Sequence, residues 1–129
     1  MHRYRLLAVL VLGLCLLSCD NDSTGPDPSL YGSWVRDITD SAGVTFTAEL
    51  KINTDNSYDF ILLTQAPGHT NSSAQFTLSG RRMSITVDAD CSGVGVYQYV
   101  VSTDALALVG IEDPCGPRQA ALEGVWDKK

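Results

Sequence analysis

The chain has 129 residues, with nine Lys or Arg against fifteen Asp or Glu and a formal net charge of −6. This length is enough for one domain and not for two. The acidic balance argues against nucleic acid, which needs basic patches for its phosphates, and against a patch that binds anionic lipids. Solubility alone accounts for the acidity, so the charge identifies no partner.

The first 18 residues have the three parts of a secretion signal. Arg3 and Arg5 precede an uncharged apolar run over residues 6–17, which is too short to span a bilayer core of about 30 Å. A basic start, a short apolar run and a small residue before the cut are typical of a cleaved signal peptide. We therefore predict that residues 1–18 are removed, which leaves seven basic and fifteen acidic side chains and a net charge of −8.

Cys19 is the predicted site of lipid attachment. Residues 16–19 read Leu-Leu-Ser-Cys and resemble the lipobox of bacterial lipoproteins, in which a small residue precedes the cysteine. Ser18 meets that requirement, whereas the bulky Leu14 precedes the competing Cys15. The resemblance implies a diacylglycerol on the Cys19 thiol and a further acyl chain, such as palmitate, on its amine. Several chains anchor a protein firmly, whereas one chain binds only marginally.

The segment that follows the lipidated cysteine is a predicted tether. Residues 19–29 are polar and acidic, contain Pro and Gly, and have little apolar surface to bury. A flexible coil of that length reaches on the order of 15–20 Å, enough to hold a domain just off a membrane. We expect the folded domain, residues 30–129, in the cell envelope outside the cytoplasm. The periplasmic and cell-surface faces, and the inner and outer membranes, stay open.

The dominant signal after the tether is an alternation of apolar and polar residues with period two. In residues 44–52 every second side chain is apolar: Val44, Phe46, Ala48, Leu50 and Ile52. This pattern predicts a strand with one buried face, and the Asn/Asp/Ser-rich turn after it predicts a hairpin. The same alternation predicts further inward rows at Tyr58, Phe60, Leu62; Ala74, Phe76, Leu78; Met83, Ile85, Val87, Ala89; and Tyr97, Tyr99, Val101.

The C-terminal part of the chain alternates less regularly. Residues 106–111 are apolar on both sides, which indicates either a strand buried on both faces or a covered sheet edge. Residues 112–117 are predicted to be a loop and residues 121–126 the last strand. No window has a convincing 3.6-residue repeat. The chain is therefore predicted to be all-β, an antiparallel meander of about eight strands that closes as a small barrel or pairs as a sandwich. We favour the barrel, because closure removes exposed edges.

Two motifs resemble the small lipocalin-like lipoproteins of bacteria, over residues 30–128. Residues 31–34 read Tyr-Gly-Ser-Trp and open the domain with G-x-W, and Arg118 follows late in the chain, just before Leu-Glu-Gly-Val-Trp at residues 122–126. In lipocalins the tryptophan of G-x-W lies at the closed base of the barrel, and a late arginine packs across its ring. The resemblance therefore implies a closed lipocalin-like barrel whose base is packed by Gly32, Trp34 and Arg118, with a cation–π contact between arginine and indole.

Cys91 and Cys115 are the two cysteines of the predicted domain. Outside the cytoplasm such a pair is usually a disulfide. The alternative is a metal or redox pair, but the sequence has no C-x-x-C, and His69 is the only histidine after the signal. We predict a disulfide that closes a loop of about 25 residues and stabilises the fold by roughly 3–4 kcal/mol in the chain-entropy model.

No group of residues predicts catalysis or metal binding. Residues 88–93 match the first half of a calcium loop, but its twelfth position is Tyr99 rather than a carboxylate, and no helices flank it. His69 precedes Ser72 and Ser73 in a polar loop without a G-x-S-x-G elbow or an orienting third group. We therefore predict that His69 is a solvated loop residue, and we expect no enzyme activity, no metal and no cofactor.

The aromatic residues on the predicted inward rows have two interpretations: Phe46, Tyr58, Phe60, Phe76, Tyr97 and Tyr99. They form either plain core or the apolar wall of a ligand pocket with phenol groups as polar handles. The leading hypothesis is a non-enzymatic, membrane-tethered barrel that binds a small apolar ligand or serves a structural role in the envelope. The alternative is a protein-binding module, such as a periplasmic protease inhibitor, with an unidentified partner.

Overall fold

The computed structural model describes residues 27–129, so the predicted signal peptide, Cys19 and the tether up to residue 26 lie outside the described part. The described part begins with a 3₁₀ segment, Pro28–Leu30, and continues through eight strands and one helix. These are β1 Gly32–Thr39, β2 Thr45–Ile52, β3 Ser57–Leu62, β4 Ser72–Ser79, β5 Arg82–Asp88, β6 Gly95–Val101, β7 Ala105–Glu112, α1 Gly116–Leu122 and β8 Gly124–Lys128. Within residues 27–129 no helix is both long and apolar enough to cross a bilayer.

The eight strands form one closed antiparallel barrel in chain order, which confirms the predicted fold class. Every neighbouring pair is antiparallel, and β8 closes the barrel against β1 through the pairs Trp34↔Lys128 and Val35↔Asp127. Short turns join most strands, so sequential strands are also spatial neighbours. Closure leaves no free strand edge, which is the condition that favours a barrel over an open sheet.

The predicted inward rows form the core, with exceptions at a few positions. In β2 the side chains of Phe46, Ala48, Leu50 and Ile52 are at most 3 % exposed, as the alternation requires. The rows of β3, β4 and β6 also pack into the same cluster, with Leu62, Leu78 and Val101 partly buried against it. Val44 lies just before β2 rather than within it. The interior of the barrel is therefore filled by aliphatic and aromatic side chains.

Strand β7 corrects both expectations for residues 106–111. Leu106 and Leu108 are buried in the core, whereas Val109 and Ile111 are 51 % and 46 % exposed on the outer face. The strand is paired on both sides, with β6 and β8, so it is not a sheet edge. Because a barrel buries only its inner face, the outer aliphatic residues of β7 stay in contact with solvent.

The segment before the last strand corrects the expected C-terminal boundaries. Residues 116–122 form helix α1, where a loop and the beginning of the last strand were predicted, and β8 begins only at Gly124. Pro117 lies in the first turn of α1, where its missing N–H costs no helical hydrogen bond. A helix of seven residues is too short to produce a visible 3.6-residue repeat, which explains why the sequence pattern missed it.

Candidate functional site at the mouth of the barrel

The two ends of the barrel differ in what closes them. One end carries the 3₁₀ segment and the turns that follow β2, β4 and β6; we call it the Trp34 end. The other end carries helix α1 and the loops that follow β1, β3 and β5; we call it the α1 end. In an antiparallel meander alternate connections lie at the same end, so this division follows from the topology.

Arg118 in α1 binds two carboxylates at the α1 end. Its guanidinium contacts Asp113 twice, through Nε and Oδ2 at 2.9 Å and through Nη2 and Oδ1 at 2.8 Å. Nη1 donates to Oδ2 of Asp88 at 3.4 Å, and Nη2 also donates to the Gly93 carbonyl at 3.1 Å. The three charged side chains are at most 7 % exposed. Two-pronged contacts of this kind are the strongest ion pairs that arginine makes, and here the pair is shielded from water.

A β-bulge in β5 turns Asp88 toward the interior. Gln75 of β4 pairs with Val87, and the next residue of β4 pairs with Ile85, so Thr86 has no partner in the register. One extra residue inverts the alternation beyond it. The predicted inward positions Val87 and Ala89 are therefore wrong: Val87 is 56 % exposed, and Asp88 takes the inward position instead.

A second bulge, in β7, does the same for Asp113. Val96 pairs with Glu112 and Tyr97 pairs with Gly110, which leaves Ile111 as the extra residue. The side chain of Asp113, just beyond the strand, is fully buried. Its carboxylate accepts hydrogen bonds from the Tyr97 hydroxyl and from the backbone N–H of Cys115, the latter at 2.8 Å.

The pKa shifts in this cluster follow from burial and pairing. Burial alone would raise the pKa of Asp113, but the hydrogen bonds from Arg118 and Tyr97 outweigh it and hold that pKa below its usual value. The hydrogen bond to Asp113 raises the pKa of Arg118. Burial, and then the hydrogen bond to Asp113, raise the pKa of the Tyr97 phenol. The cluster therefore stays ionised at the carboxylate and neutral at the phenol near neutral pH.

The predicted disulfide is confirmed, and it fixes the position of α1. Cys91 and Cys115 are bonded, with their Cα atoms 5.8 Å apart. Cys91 lies in the loop between β5 and β6, and Cys115 is the N-cap residue of α1. The bond therefore ties the helix to the loop that carries the Gly93 carbonyl, which accepts a hydrogen bond from Arg118.

A pocket of about 220 Å³ opens beside α1. Its floor is formed by Tyr58 and Phe60 of β3, and its walls are formed by α1, the loop after β3 and the end of β5. Its lining residues are Tyr58, Phe60, Gly68, His69, Thr70, Ser72, Asp88, Asp90, Cys91, Pro117, Arg118, Ala121 and Leu122. About half of these residues are apolar and the rest are polar or charged, so the pocket offers a small molecule both kinds of contact.

The predicted pocket-lining aromatics divide into two groups. Tyr58 and Phe60 line this pocket, at 4 % and 6 % exposed. The other four belong to the filled core: Phe46, Phe76, Tyr97 and Tyr99. Tyr99 lies at the Trp34 end, where its hydroxyl donates to the Gly80 carbonyl at 2.9 Å. Thus the aromatics do not share one cavity, because side chains fill the centre of the barrel.

His69 makes two side-chain contacts that the sequence did not predict. Its ring packs against Phe46 with the centroids 4.6 Å apart, and its Nε2 lies 2.9 Å from Oδ2 of Asp40. The hydrogen bond to His69 lowers the pKa of Asp40. His69 lies exposed in the loop after β3, as predicted, and these two contacts hold its ring at the rim of the pocket.

The predicted base of the barrel is corrected in one residue. Gly32 and Trp34 lie at the Trp34 end, where Trp34 is fully buried and its Nε1 donates to the Leu30 carbonyl at 3.0 Å. The cation over its ring is Lys128, with Nζ 4.6 Å from the centroid. Arg118 lies at the other end of the barrel, in its buried ion pair with Asp113, because α1 caps the α1 end.

The structure also reveals a repeat that the sequence pattern did not suggest. Residues 30–36 and 122–128 both read L-x-G-x-W-x-(Arg/Lys). Trp126 is fully buried like Trp34, its Nε1 donates to the Leu122 carbonyl at 2.9 Å, and Arg36 lies 4.9 Å over its ring. Each of the two closing strands therefore supplies a tryptophan and the cation that covers the tryptophan of the other strand. The signal was present in the sequence, but its two copies stand 92 residues apart, at the two ends of the domain.

Comparisons of the chain with protein-family models, with curated proteins and with solved structures find no match. Within residues 27–129 no group of three or more His, Cys, Asp or Glu side chains is arranged to hold a metal ion. The function of the site is therefore argued from its own geometry.

Proposed function

We propose that this chain is a lipid-anchored, lipocalin-like envelope protein whose barrel binds a small molecule in the pocket beside α1. The observation that carries the proposal is the Tyr58 hydroxyl in this pocket, which is lined by apolar side chains and by the charged residues Asp88, Asp90 and Arg118. The contacts among residues 27–129 include no hydrogen bond to that hydroxyl, although Tyr58 is only 4 % exposed. A nearly buried phenol with no hydrogen-bond partner among residues 27–129 supports a ligand that bonds to its hydroxyl from within the pocket.

The size of the pocket supports a small ligand. Its volume of about 220 Å³ is below the range of drug-sized sites, which is roughly 300–1,000 Å³. The filled core leaves the mouth as the place where a ligand contacts the barrel without displacing packed side chains. We assign this site a binding role and no catalytic residue, because Arg118 and Asp113 are engaged with each other in a structural pair.

The test places a tryptophan at each of two neighbouring positions of α1. Ala121 lines the pocket and is half-buried, whereas Ala120 is exposed and faces away from it. We expect Ala121→Trp to abolish binding of a small neutral aromatic probe, 2-phenylethanol, and Ala120→Trp to leave it unchanged. Calorimetric titration of the mature lipoprotein in nonionic detergent measures the binding of the probe. Because the micelles take up the same amount of probe with either variant, the difference between the two variants reports binding to the protein. Equal binding by both variants would contradict the proposal.

The anchor is tested separately. Cys19 lies outside the described residues, and its proposed lipid is the element that holds the domain at a membrane. We expect Cys19→Ala to prevent incorporation of radiolabelled palmitate, whereas Cys15→Ala keeps it. Labelling of the Cys19→Ala protein at the level of the parent would contradict the proposed lipid site.

A protein-binding module is the second candidate, and the outer face of β6–β8 favours it. Val100, Val109 and Val125 are 48 %, 51 % and 61 % exposed there, and the register places Val100 and Val125 on either side of Ala107. Clustered exposed aliphatic side chains mark interaction surfaces more often than chance. A photo-crosslinker at Val109 that yields one discrete adduct in cells, lost on Val125→Lys and kept on Ala121→Trp, would favour this function over ligand binding.

A further inference from the structure

The charges around the pocket do not balance. Asp88 and Asp90 both line it, and Arg118 is the cation nearest to them. The guanidinium makes its two short contacts with Asp113, at 2.8 and 2.9 Å, and reaches Asp88 only at 3.4 Å. Arg118 thus pairs with two carboxylates, Asp113 at short range and Asp88 at longer range, and the ion pairs among residues 27–129 include none with Asp90. The surplus negative charge lies on the pocket wall, at Asp88 and Asp90.

The Tyr58 hydroxyl is a second, independent feature of the same pocket. Tyr58 is 4 % exposed, lines the pocket and has no hydrogen-bond partner among residues 27–129. Burial, and then the negative charge of Asp88, raise the pKa of this phenol, so it is neutral at any physiological pH. A neutral hydroxyl oxygen accepts a hydrogen bond from an N–H group, and such a donor here would also face the acidic wall.

The apolar part of the wall limits what kind of cation fits. Phe60 and Leu122 are 6 % and 2 % exposed and face the same cavity. Apolar surfaces contribute no favourable binding free energy to a hydrated metal ion, which requires several oxygen ligands. An organic cation gains from both parts of the pocket, since its charge meets the carboxylates while its carbon body covers the apolar wall.

We propose that the pocket selects small primary ammonium compounds, with the ammonium between Asp88, Asp90 and the Tyr58 hydroxyl and the apolar body against Phe60 and Leu122. This inference rests on the proposed function, since it names the ligand class of the same pocket. An anion is disfavoured because it would meet the surplus carboxylates, and a neutral molecule leaves those carboxylates without a counter-charge.

The test compares three probes with similar bodies and different charges: 2-phenylethylammonium, 2-phenylethanol and 3-phenylpropanoate. Calorimetric titration uses the mature lipoprotein in nonionic detergent. We expect the cation to bind about tenfold or more tightly than the alcohol, and the carboxylate not to bind, because Asp88 and Asp90 give the pocket wall surplus negative charge. The N,N,N-trimethyl form of the cation, which lacks an N–H, is expected to bind more weakly than the primary ammonium.

Two variants and a control assign the effect to the named residues. Asp90 is exposed, and its carboxylate accepts no hydrogen bond from residues 27–129, so Asp90→Asn should remove charge without unfolding the barrel. We expect it to bring the affinities for the cation and the alcohol within about threefold of each other. Asp104→Asn changes the net charge equally at the Trp34 end and should have no effect. Tyr58→Phe should weaken the primary ammonium and leave its trimethyl form unchanged.

The outcomes separate this inference from the proposed function. If 2-phenylethanol binds as tightly as the cation and Ala121→Trp blocks both, the pocket is a binding site but its selection for ammonium is overturned. If none of the three probes binds, both the inference and the proposed function are overturned. Equal weakening by Asp90→Asn and Asp104→Asn would show an effect of net charge only, which also overturns the assignment.

Discussion

The two ends of the barrel use the same tryptophan motif and are closed in different ways. Trp34 and Trp126 each donate to a leucine carbonyl four residues earlier, at 3.0 and 2.9 Å, and each is covered by a cation from the other strand. At the Trp34 end the three-residue segment Pro28–Leu30 precedes the motif and seals the barrel with the buried Leu30. At the α1 end a seven-residue helix takes that place.

The difference shows how a pocket arises without hollowing the core. At the Trp34 end the short segment Pro28–Leu30 packs against the tryptophan. At the other end α1, held by an ion pair and a disulfide, covers only part of the barrel end and leaves the pocket beside it. The charged side chains at the α1 end must be paired with one another. They leave a pocket beside the helix, where aliphatic side chains would otherwise fill the volume. The shared motif therefore closes the barrel, and the elements around it determine which end can bind a ligand.

Removing each tryptophan tests the motif that the two ends share, and it has the largest expected effect on the free energy of unfolding. Both are fully buried, so Trp34→Ala and Trp126→Ala should each lower the free energy of unfolding by about 3–5 kcal/mol. The adjacent Val125 is 61 % exposed, and Val125→Ala should change it by less than about 0.5 kcal/mol. Urea unfolding measures all three. A small effect at only one of the tryptophans would break the proposed equivalence of the two motifs.

The ion pair between Arg118 and Asp113 lies only at the α1 end, so removing it tests a feature that the two ends do not share. Asp113→Asn leaves the buried guanidinium of Arg118 without its main partner and should cost about 3 kcal/mol at pH 7, measured by urea unfolding. Asp104→Asn, at the exposed turn of the Trp34 end, serves as the control and should cost nothing measurable.

The same variant predicts a pH dependence. The pKa of Asp113 is lowered in the folded state, so its contribution is fully present above the unfolded value of about 3.9 and is lost as the pH falls through the folded pKa. The difference in stability between the parent and Asp113→Asn should therefore shrink below about pH 4. A difference that stays constant down to full acid unfolding would contradict the assigned role of the carboxylate.

The glycines of the two motifs should rank in a definite order. Gly32 and Gly124 have φ values of +137° and +141°, which side chains rarely adopt. A Cβ on Gly124 would collide with the Arg36 guanidinium, which hydrogen bonds hold against the end of α1, whereas one on Gly32 would lie 3.0 Å from the Nζ atom of the flexible Lys128 side chain. We expect Gly124→Ala to cost about 3 kcal/mol and Gly32→Ala about 1–2 kcal/mol. Gly43→Ala, at φ +82° with open space around it, measures the backbone strain alone.

Most of the barrel follows from the sequence because its strands are regular. The period-two alternation of residues such as Phe46, Leu50 and Phe60 directly encodes which face is buried, and Cys91 and Cys115, the two cysteines among residues 27–129, can pair only with each other there. The alternation fails where a bulge adds one residue. Nothing in the residue types at Thr86 or Ile111 marks the extra position, because a bulge depends on pairing with the neighbouring strand.

The candidate site was harder to predict because it depends on those irregularities. Asp88 and Asp113 point inward only beyond the two bulges, and Arg118 meets them only because a short helix forms. Tyr58 and Phe60 were correctly placed on an inward row, but their exposure to a pocket depends on where α1 stops. Side chains that bulges and a short helix bring together follow no regular spacing in the sequence, so a periodic pattern does not predict their contacts.

Substitutions of the two cations that cover the tryptophans have the smallest expected effects on the free energy of unfolding. They compare the contribution of the cation at each end of the barrel. Arg36 lies over Trp126 and also donates to the Ala120 and Ala121 carbonyls at 3.2 Å, so it stabilises the end of α1 as well as the indole. Arg36→Met should therefore cost about 2 kcal/mol in urea unfolding.

Lys128 covers Trp34 without a comparable second role, because it is exposed and no helix ends beneath it. Lys128→Met should cost about 0.5–1 kcal/mol, the value of an exposed cation–π contact, and Lys128→Arg should recover that loss by keeping the cation over the ring. The two variants together distinguish the contact from the length of the side chain. If Lys128→Met costs as much as Arg36→Met, the two ends depend on their cations equally, and the added contacts of Arg36 with α1 contribute no stability.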